Sequence, residues 1–126
     1  MIVGMGIDLA EVKRVEAAIA RHGRAFLERV FTPAEIRYCE KHRHAAERYA
    51  ARFAAKEAAM KALGTGWRRG VRWVDLEVAN LPTGRPTLKL HGRSKQLAEE
   101  MGVRRIALSL THGSGFAFAQ VIFESD

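Results

Sequence analysis

An alanine-rich segment from Ala45 to Leu63 constrains this 126-residue chain more than any other feature, because it predicts one long helix. Alanine, leucine and methionine have high intrinsic helix propensity, and the segment contains no proline or glycine. Gly64 follows directly, and glycine at that place adopts the left-handed conformation that ends many helices. We therefore expect a helix of about five turns, around which the rest of a small domain must pack.

The C-terminal half of this helix carries Glu57 and Lys61, one helical turn apart. The carboxylate and the ammonium can therefore reach one small volume, as a site for a metal-bound phosphate requires. Exposed Glu–Lys pairs at this spacing are also common on solvated helix surfaces. The neighbouring stripe of small residues favours the first interpretation, because we expect it to be open enough to admit a ligand. Its members are Ala50, Ala54, Ala58 and Gly64.

The N-terminal segment from Ile2 to Asp8 predicts a short strand whose two faces differ. Alternation places apolar side chains on one face and Gly4, Gly6 and Asp8 on the other, and the glycines allow another backbone to come close. Asp8 has two interpretations: it caps the helix that follows, or it binds a cation together with Glu57. Magnesium is usually held by one or two carboxylates, waters and substrate phosphates. Asp8 and Glu57 are therefore a candidate magnesium site, with the capping alternative open.

The remaining elements complete an α+β pattern. Thr32, Pro33 and Glu35 provide an N-cap, a first-turn proline and a capping box, and they predict a helix that runs to about Lys41. The other predicted elements are helices at Glu11–His22, Ala25–Arg29 and Ser94–Met101, and strands at Trp73–Leu81, Thr87–His91, Arg105–Thr111 and Phe116–Glu124. This order predicts a mainly antiparallel sheet packed against the long helix, in a single domain that spans residues 1–126.

The charge balance favours an anionic partner. The chain has 21 Lys and Arg against 14 Asp and Glu, which gives a net charge of +7. Nucleic acid, nucleotides, acidic proteins and anionic lipid surfaces all satisfy this electrostatic preference. Cys39 is the only cysteine, so no intrachain disulfide can form, and this indicates a cytoplasmic protein. We expect no membrane segment, because no stretch approaches the roughly 18 apolar residues of a membrane span.

Two familiar nucleotide-binding motifs are excluded by their flanking residues. Gly4-Met5-Gly6 starts like a dinucleotide-binding fingerprint, but Leu9 occupies the place of its third glycine. Gly64-Thr65-Gly66 is followed by Trp67 and Arg68 rather than by the lysine and hydroxyl residue of a P-loop. We therefore predict neither a Rossmann turn nor a P-loop.

Four segments together resemble the holo-acyl-carrier-protein synthases, the small trimeric class of 4′-phosphopantetheinyl transferases. They occur in the family's order along nearly the whole chain: GIDLAEVKR at Gly6–Arg14, RFAAKEAAMKALGTG at Arg52–Gly66, TGRPTLKLHG at Thr83–Gly92 and SLTH at Ser109–His112. The family more often has serine where this chain has Thr111, a change that keeps the hydroxyl. The resemblance implies transfer of the 4′-phosphopantetheine arm from coenzyme A to a serine of apo acyl carrier protein, in fatty acid biosynthesis, with release of adenosine 3′,5′-bisphosphate.

The resemblance also implies roles for individual residues. Asp8 and Glu57 become the ligands of Mg²⁺, and Glu57 or a water on the metal becomes the base that deprotonates the serine. Lys61 becomes the contact to the substrate phosphate, so Glu57 and Lys61 are the implied catalytic residues. The implied coenzyme A contacts are Arg52, Lys56, Lys61 and His112 for the phosphates, and Gly84, Arg85 and Pro86 near the adenine end.

The resemblance also explains the positive charge without nucleic acid. Acyl carrier proteins are acidic helical proteins, so Arg14, Arg21 and Arg24 are expected to dock an anionic helix. A homotrimer is expected from the same resemblance, and short strands with exposed edges agree with it. Two other classes stay open: a small basic nucleic-acid-binding domain, and a coenzyme A-binding protein without catalysis. The aromatic content of 8% disfavours the first, because few rings are available to stack on bases. The paired carboxylates disfavour the second.

Overall fold

The computed structural model describes residues 1–65 and 70–126, which form five helices and five strands. The helices are α1 (Val12–His22), α2 (Arg24–Val30), α3 (Pro33–Glu40), α4 (Ala45–Leu63) and α5 (Gly92–Glu100). The strands are β1 (Ile2–Glu11), β2 (Leu76–Asn80), β3 (Pro86–Leu90), β4 (Arg105–Gly113) and β5 (Phe116–Glu124). Of the helices in these described ranges, none has the length and apolar character needed to cross a bilayer.

The strands form two antiparallel sheets. The larger sheet has the order β1-β5-β4, with Asp8 opposite Ala119 and Thr111 opposite Phe118. The smaller sheet is the hairpin of β2 and β3, in which Asn80 lies opposite Pro86. The predicted α+β class, with antiparallel strands against the long helix, is confirmed.

Helix α4 packs on the larger sheet so closely that most of its surface is buried. Gly4 and Gly6 of β1 permit this approach, since a Cβ at either position would collide with the carbonyl oxygen of Ala62 or Ala58. Ala54 and Ala58 are completely enclosed. The predicted close approach at the glycine face is confirmed. The prediction that the small-residue stripe of α4 stays open for a ligand is wrong for Ala50, Ala54 and Ala58, which are fully buried, whereas Gly64 at its end is exposed.

A buried ion pair joins α3 to α4. Glu35 forms the predicted capping box with Thr32: its backbone N–H donates to Thr32 Oγ1 at 3.1 Å, and its Oε1 accepts the Thr32 N–H at 2.8 Å. The same carboxylate accepts from Lys56 Nζ at 2.8 Å and from the N–H of Val78 at 2.9 Å. Lys56 also donates to two backbone carbonyls at the entry to β2, at 3.1 and 2.9 Å. Both charged side chains are fully shielded from solvent.

Several predicted element boundaries differ from the structure. Trp73–Asp75 is a 3₁₀ turn before β2 rather than part of the strand, and its first carbonyl accepts a hydrogen bond from Lys56. β1 continues to Glu11 instead of ending at Asp8, so α1 begins at Val12, and α5 begins at Gly92 instead of Ser94. Gly66, Trp67 and Arg68 of the excluded P-loop pattern lie outside the described residues.

The face of the larger sheet opposite α4 is apolar and exposed; we call it the apolar sheet face. Met5, Ile7 and Leu9 of β1 are 56%, 61% and 51% exposed. Phe116 and Phe118 of β5 belong to the same face, since Leu9 lies opposite Phe118, and they are 37% and 43% exposed. Contiguous exposed apolar surface of this kind marks an interaction site.

Candidate functional site

Asp8, Glu57 and Lys61 come together where β1 crosses α4. Lys61 Nζ donates to Asp8 Oδ1 at 3.0 Å and to the carbonyl oxygen of Ile7 at 2.9 Å. Asp8 and Glu57 line one groove of about 400 Å³, which Arg14 also lines; we call it the carboxylate groove. The group of acidic and basic residues predicted from the sequence is therefore assembled in three dimensions, and the ion pair of Lys61 is made with Asp8.

The helix-capping interpretation of Asp8 is wrong. β1 continues past Asp8 as far as Glu11, and Glu11 is the N-cap residue of α1. Asp8 lies inside the sheet instead, where it pairs with Ala119 of β5. Its carboxylate contributes to the groove and to the ion pair with Lys61.

The carboxylate groove is electrostatically suited to a cation. Burial raises the pKa of the Glu57 carboxyl above its usual value, the negative charge of Asp8 raises it further, and Lys61 opposes both effects. A divalent cation between the two carboxylates would relieve their repulsion. Mg²⁺ fits this donor set, because it binds one or two carboxylates and fills its remaining positions with water and phosphate oxygens. Residues 1–65 and 70–126 contain no group of three or more His, Cys, Asp or Glu placed to hold a metal, so water and substrate oxygens would complete the shell of a bound Mg²⁺.

A second groove, of about 350 Å³, brings together Arg52 of α4, His112 of β4, Gly84 of the loop before β3 and Pro86 at the start of β3; we call it the nucleotide groove. Arg52 is only 3% exposed. It forms no ion pair with any carboxylate in the described part of the chain. A buried guanidinium without a compensating anion is unfavourable, so this groove favours an anionic ligand.

Arg48 and Glu47 are among the residues of this region that sequence reasoning missed. Arg48 lines the nucleotide groove. It precedes Arg52 by one helical turn, so the i, i+4 spacing was a signal that could have found it. Glu47 Oε2 lies 2.9 Å from His112 Nδ1. No local signal could have found Glu47, because α4 and β4 meet only in the folded chain.

Two of the predicted coenzyme A contacts lie elsewhere. Lys56 is fully buried, and it donates to Glu35 and to two backbone carbonyls. The prediction that Lys56 contacts a phosphate is therefore wrong. Successive residues on a helix point about 100° apart, so Lys56 is directed at α3 while Glu57 is directed at the carboxylate groove. Arg85 lines a neighbouring groove of about 260 Å³ with residues of β4 and β5.

The predicted docking residues lie on two helices. Arg14 and Arg21 are exposed on α1, and Arg14 lines the carboxylate groove. Arg24 is the first residue of α2 and forms a surface ion pair with Glu28 at 3.3 Å. The positively charged surface of α1 therefore starts with Arg14 at the edge of the carboxylate groove. The charge of Arg24 is partly neutralised by Glu28.

Comparison with known proteins identifies the family. The family model of the 4′-phosphopantetheinyl transferase superfamily matches residues 4–120. The chain belongs to this superfamily. The holo-acyl-carrier-protein synthase of Solibacter usitatus (strain Ellin6076) is 59% identical to it, over 99% of this chain and 100% of the relative. The synthase of Koribacter versatilis (strain Ellin345) is 56% identical, over 98% and 99%.

Solved structures of the superfamily have the same fold as this transferase chain. Holo-acyl-carrier-protein synthase from Neisseria meningitidis superimposes with a TM-score of 0.90 at 32% identity, over 99% of this chain and 100% of that one. The Helicobacter pylori synthase in complex with coenzyme A gives 0.83 at 31% identity, over 95% and 99%. The Bacillus anthracis str. Ames synthase, in complex with CoA (3′,5′-ADP), gives 0.82 at 37% identity, over 100% and 99%. The resemblance to this family and the fold that it implied are confirmed.

Proposed function

We propose that this chain transfers the 4′-phosphopantetheine group from coenzyme A to a serine of apo acyl carrier protein and releases adenosine 3′,5′-bisphosphate. The observation that carries the proposal is the meeting of Asp8, Glu57 and Lys61 at one groove, which offers a cation site and an ammonium group to a pyrophosphate. Membership of the superfamily and relatives solved with coenzyme A support the same substrate. We propose that residues 1–126 form one domain for this activity.

The reaction joins the serine Oγ to the phosphorus that bears the pantetheine arm, and it breaks the bond from that phosphorus to the oxygen of the nucleotide's 5′-phosphate. Negative charge develops on the departing phosphate, and the Lys61 ammonium is the group that stabilises it. Mg²⁺ held by Asp8 and Glu57 would neutralise charge on the phosphate oxygens. We propose that Glu57, or a water that the metal would hold, accepts the serine proton.

We place the 3′-phosphoadenosine end of coenzyme A in the nucleotide groove. Arg52 and Arg48 provide two guanidinium groups there, and His112 lies beside them. Gly84 of the loop and Pro86 at the start of β3 line the other side of the groove, where the absence of a side chain at Gly84 leaves room for a flat base. Arg85, on the neighbouring groove, is proposed to contact the same end of the ligand from outside.

We propose a homotrimer in which neighbouring copies complete each site. The apolar sheet face would be covered by another copy, which removes exposed phenylalanine and aliphatic side chains from water. Among the described residues none lines both the carboxylate groove and the nucleotide groove, and we propose that one coenzyme A extends from the carboxylate groove of one copy to the nucleotide groove of the next. Sedimentation velocity is expected to give a trimer. A stable, active monomer at assay concentration would exclude the shared site.

We propose that the acidic acyl carrier protein docks on the positive face of α1, beside the carboxylate groove. Arg14 and Arg21 are both exposed, and the position of Arg14 would bring a docked serine close to the groove. We place the reaction in the cytoplasm and in fatty acid biosynthesis. The nucleic-acid-binding alternative has no support from the comparisons.

The intact mass of apo acyl carrier protein, measured after incubation with the chain, coenzyme A and magnesium, tests the proposal. We expect a gain equal to one phosphopantetheine group, and no gain with chelator or with a carrier protein whose acceptor serine is alanine. An unchanged mass with an active carrier protein would refute transferase activity. A titration of duplex and single-stranded DNA, run beside it, tests the basic-domain alternative.

A further inference from the structure

Asn80 connects the two sides of the nucleotide groove. It is the last residue of β2, and it is exposed. Its side-chain Oδ1 accepts a hydrogen bond from Arg52 Nη2 at 2.9 Å, and its Nδ2 donates to the carbonyl oxygen of Gly84 at 2.9 Å. The amide oxygen therefore bonds to a residue of α4, and the amide nitrogen bonds to the loop between β2 and β3.

The two contacts require a side chain that accepts on one side and donates on the other. The guanidinium of Arg52 can only donate, and the backbone carbonyl of Gly84 can only accept. The primary amide of Asn80 satisfies both at once. A carboxylate of the same size would still accept from Arg52, but it would have no proton to give to Gly84.

Asn80 also orients the guanidinium of Arg52, which has few other contacts to fix its position. Arg52 stacks on the ring of Tyr38, with its Cζ 3.9 Å from the ring centre. Its Nε has no hydrogen-bond partner within the described ranges. The ring contact fixes the plane of the guanidinium, and the bond to Asn80 fixes its rotation in that plane. Removal of the amide would therefore release both the cation and the loop that carries Gly84.

We propose that Asn80 is a positioning residue for the nucleotide end of coenzyme A: it sets the orientation of Arg52 and its distance from the Gly84 loop. The inference rests on the proposed function, and it adds a residue that none of the matching sequence segments contains. Asn80 itself is exposed, so in a truncated variant water can enter the groove and replace the amide on Gly84 and on Arg52, and the net contribution of the two hydrogen bonds to folding is small. The effect of Asn80 should consequently appear in ligand binding and not in stability.

Asn80→Ala and Asn80→Asp separate these roles. The alanine variant removes both hydrogen bonds and should raise KM for coenzyme A about tenfold. The aspartate variant should raise it further, because a carboxylate next to Arg52 neutralises the charge that attracts the phosphate. We expect kcat within about threefold of the parent, an unchanged KM for the carrier protein, and a Tm within about 4 °C, equivalent to roughly one kilocalorie per mole.

Gln96 provides a matched control. It is also an exposed amide that accepts a hydrogen bond from an arginine, Arg93 Nη1 at 3.1 Å, but it lies on α5 and does not line the nucleotide groove. Gln96→Ala and Gln96→Glu make the same chemical changes at that position. Both control variants should keep the parental KM for coenzyme A.

Calorimetric titration with adenosine 3′,5′-bisphosphate tests Asn80 without requiring transfer. The parent should bind, and both Asn80 variants should lose affinity by a factor similar to the increase in KM. Unchanged affinity, a parallel loss of kcat and Tm without a change in KM, or no binding by the parent would each overturn the inference. If the parent binds the bisphosphate, and the variants bind it less well, while no transfer occurs, the proposed function fails and the role of Asn80 stands.

Discussion

Lys56→Met tests whether the buried lysine next to Glu57 serves the fold or the substrate. Methionine retains an unbranched stem but lacks the ammonium, so Glu35 stays buried without its partner and two backbone carbonyls lose a donor. Removal of one member of a buried ion pair costs about 3–5 kcal/mol. Glu35 keeps hydrogen bonds from the N–H groups of Thr32 and Val78. We therefore expect the loss of stability to lie at the lower end of this range, about 3 kcal/mol.

This loss corresponds to a large change in melting temperature. An unfolding entropy of about 2.1 cal/mol/K per residue means that, for a chain of 126 residues, each kcal/mol lowers Tm by about 4 °C. Lys56→Met should therefore lower Tm by about 12 °C. Glu35→Gln in the same chain removes the uncompensated charge, so the double variant should melt at a higher temperature than Lys56→Met alone.

Thermal unfolding, followed by circular dichroism or calorimetry, measures these changes at one fixed protein concentration, because the Tm of an oligomer depends on concentration. Lys95→Met, at an exposed position on α5, is the matched control and should shift Tm by no more than about 2 °C. A parental Tm for Lys56→Met, together with a raised KM for coenzyme A, would return Lys56 to the ligand site and refute the argument from burial. If the double variant were no more stable than Lys56→Met, the unpaired charge of Glu35 would not be the cause of the lowered Tm.

Four further variants test the carboxylate groove and the docking surface. Asp8→Asn and Glu57→Gln should each abolish transfer without loss of Tm, because each removes charge that holds the cation and relieves repulsion between the carboxylates; a near-normal rate at low magnesium would remove that residue from the metal site. Lys61→Ala should lower kcat about a hundredfold with a smaller effect on coenzyme A affinity, as for a lost charged donor to a transition-state oxygen; equal losses would indicate a ground-state contact. Arg14→Glu combined with Arg21→Glu should raise KM for the carrier protein, weaken the salt dependence of the rate and leave KM for coenzyme A nearly unchanged, in steady-state assays at two ionic strengths. Unaltered carrier-protein kinetics would place docking on another surface.

The start of α3 and both ends of α4 were determined by the sequence itself. Thr32 and Glu35 form the capping box that their spacing predicted, and α4 extends from Ala45 to Leu63 as its composition indicated. Gly64 follows with φ 77°, the left-handed conformation that a glycine after a helix predicted. Capping and helix propensity act between residues within about one turn, so the chain shows them before it folds. Asp8 and Glu57, which line one groove, were also picked out from the sequence, since the alternation of a strand and the face of a helix are both local patterns.

The partners of the charged side chains were decided only by the tertiary structure. Lys56 and Glu57 are neighbours in sequence, yet Lys56 is enclosed against Glu35 while Glu57 lines a groove. Which side of α4 is covered depends on β1 and α3, which approach it from distant parts of the chain. The role proposed for Asn80 likewise depends on its hydrogen bond from Arg52, a residue of another element. Helix caps depend on distances within one turn of the chain. The contacts of Lys56, Glu57 and Asn80 depend on distances between different elements, and these distances are set only when the backbone packs.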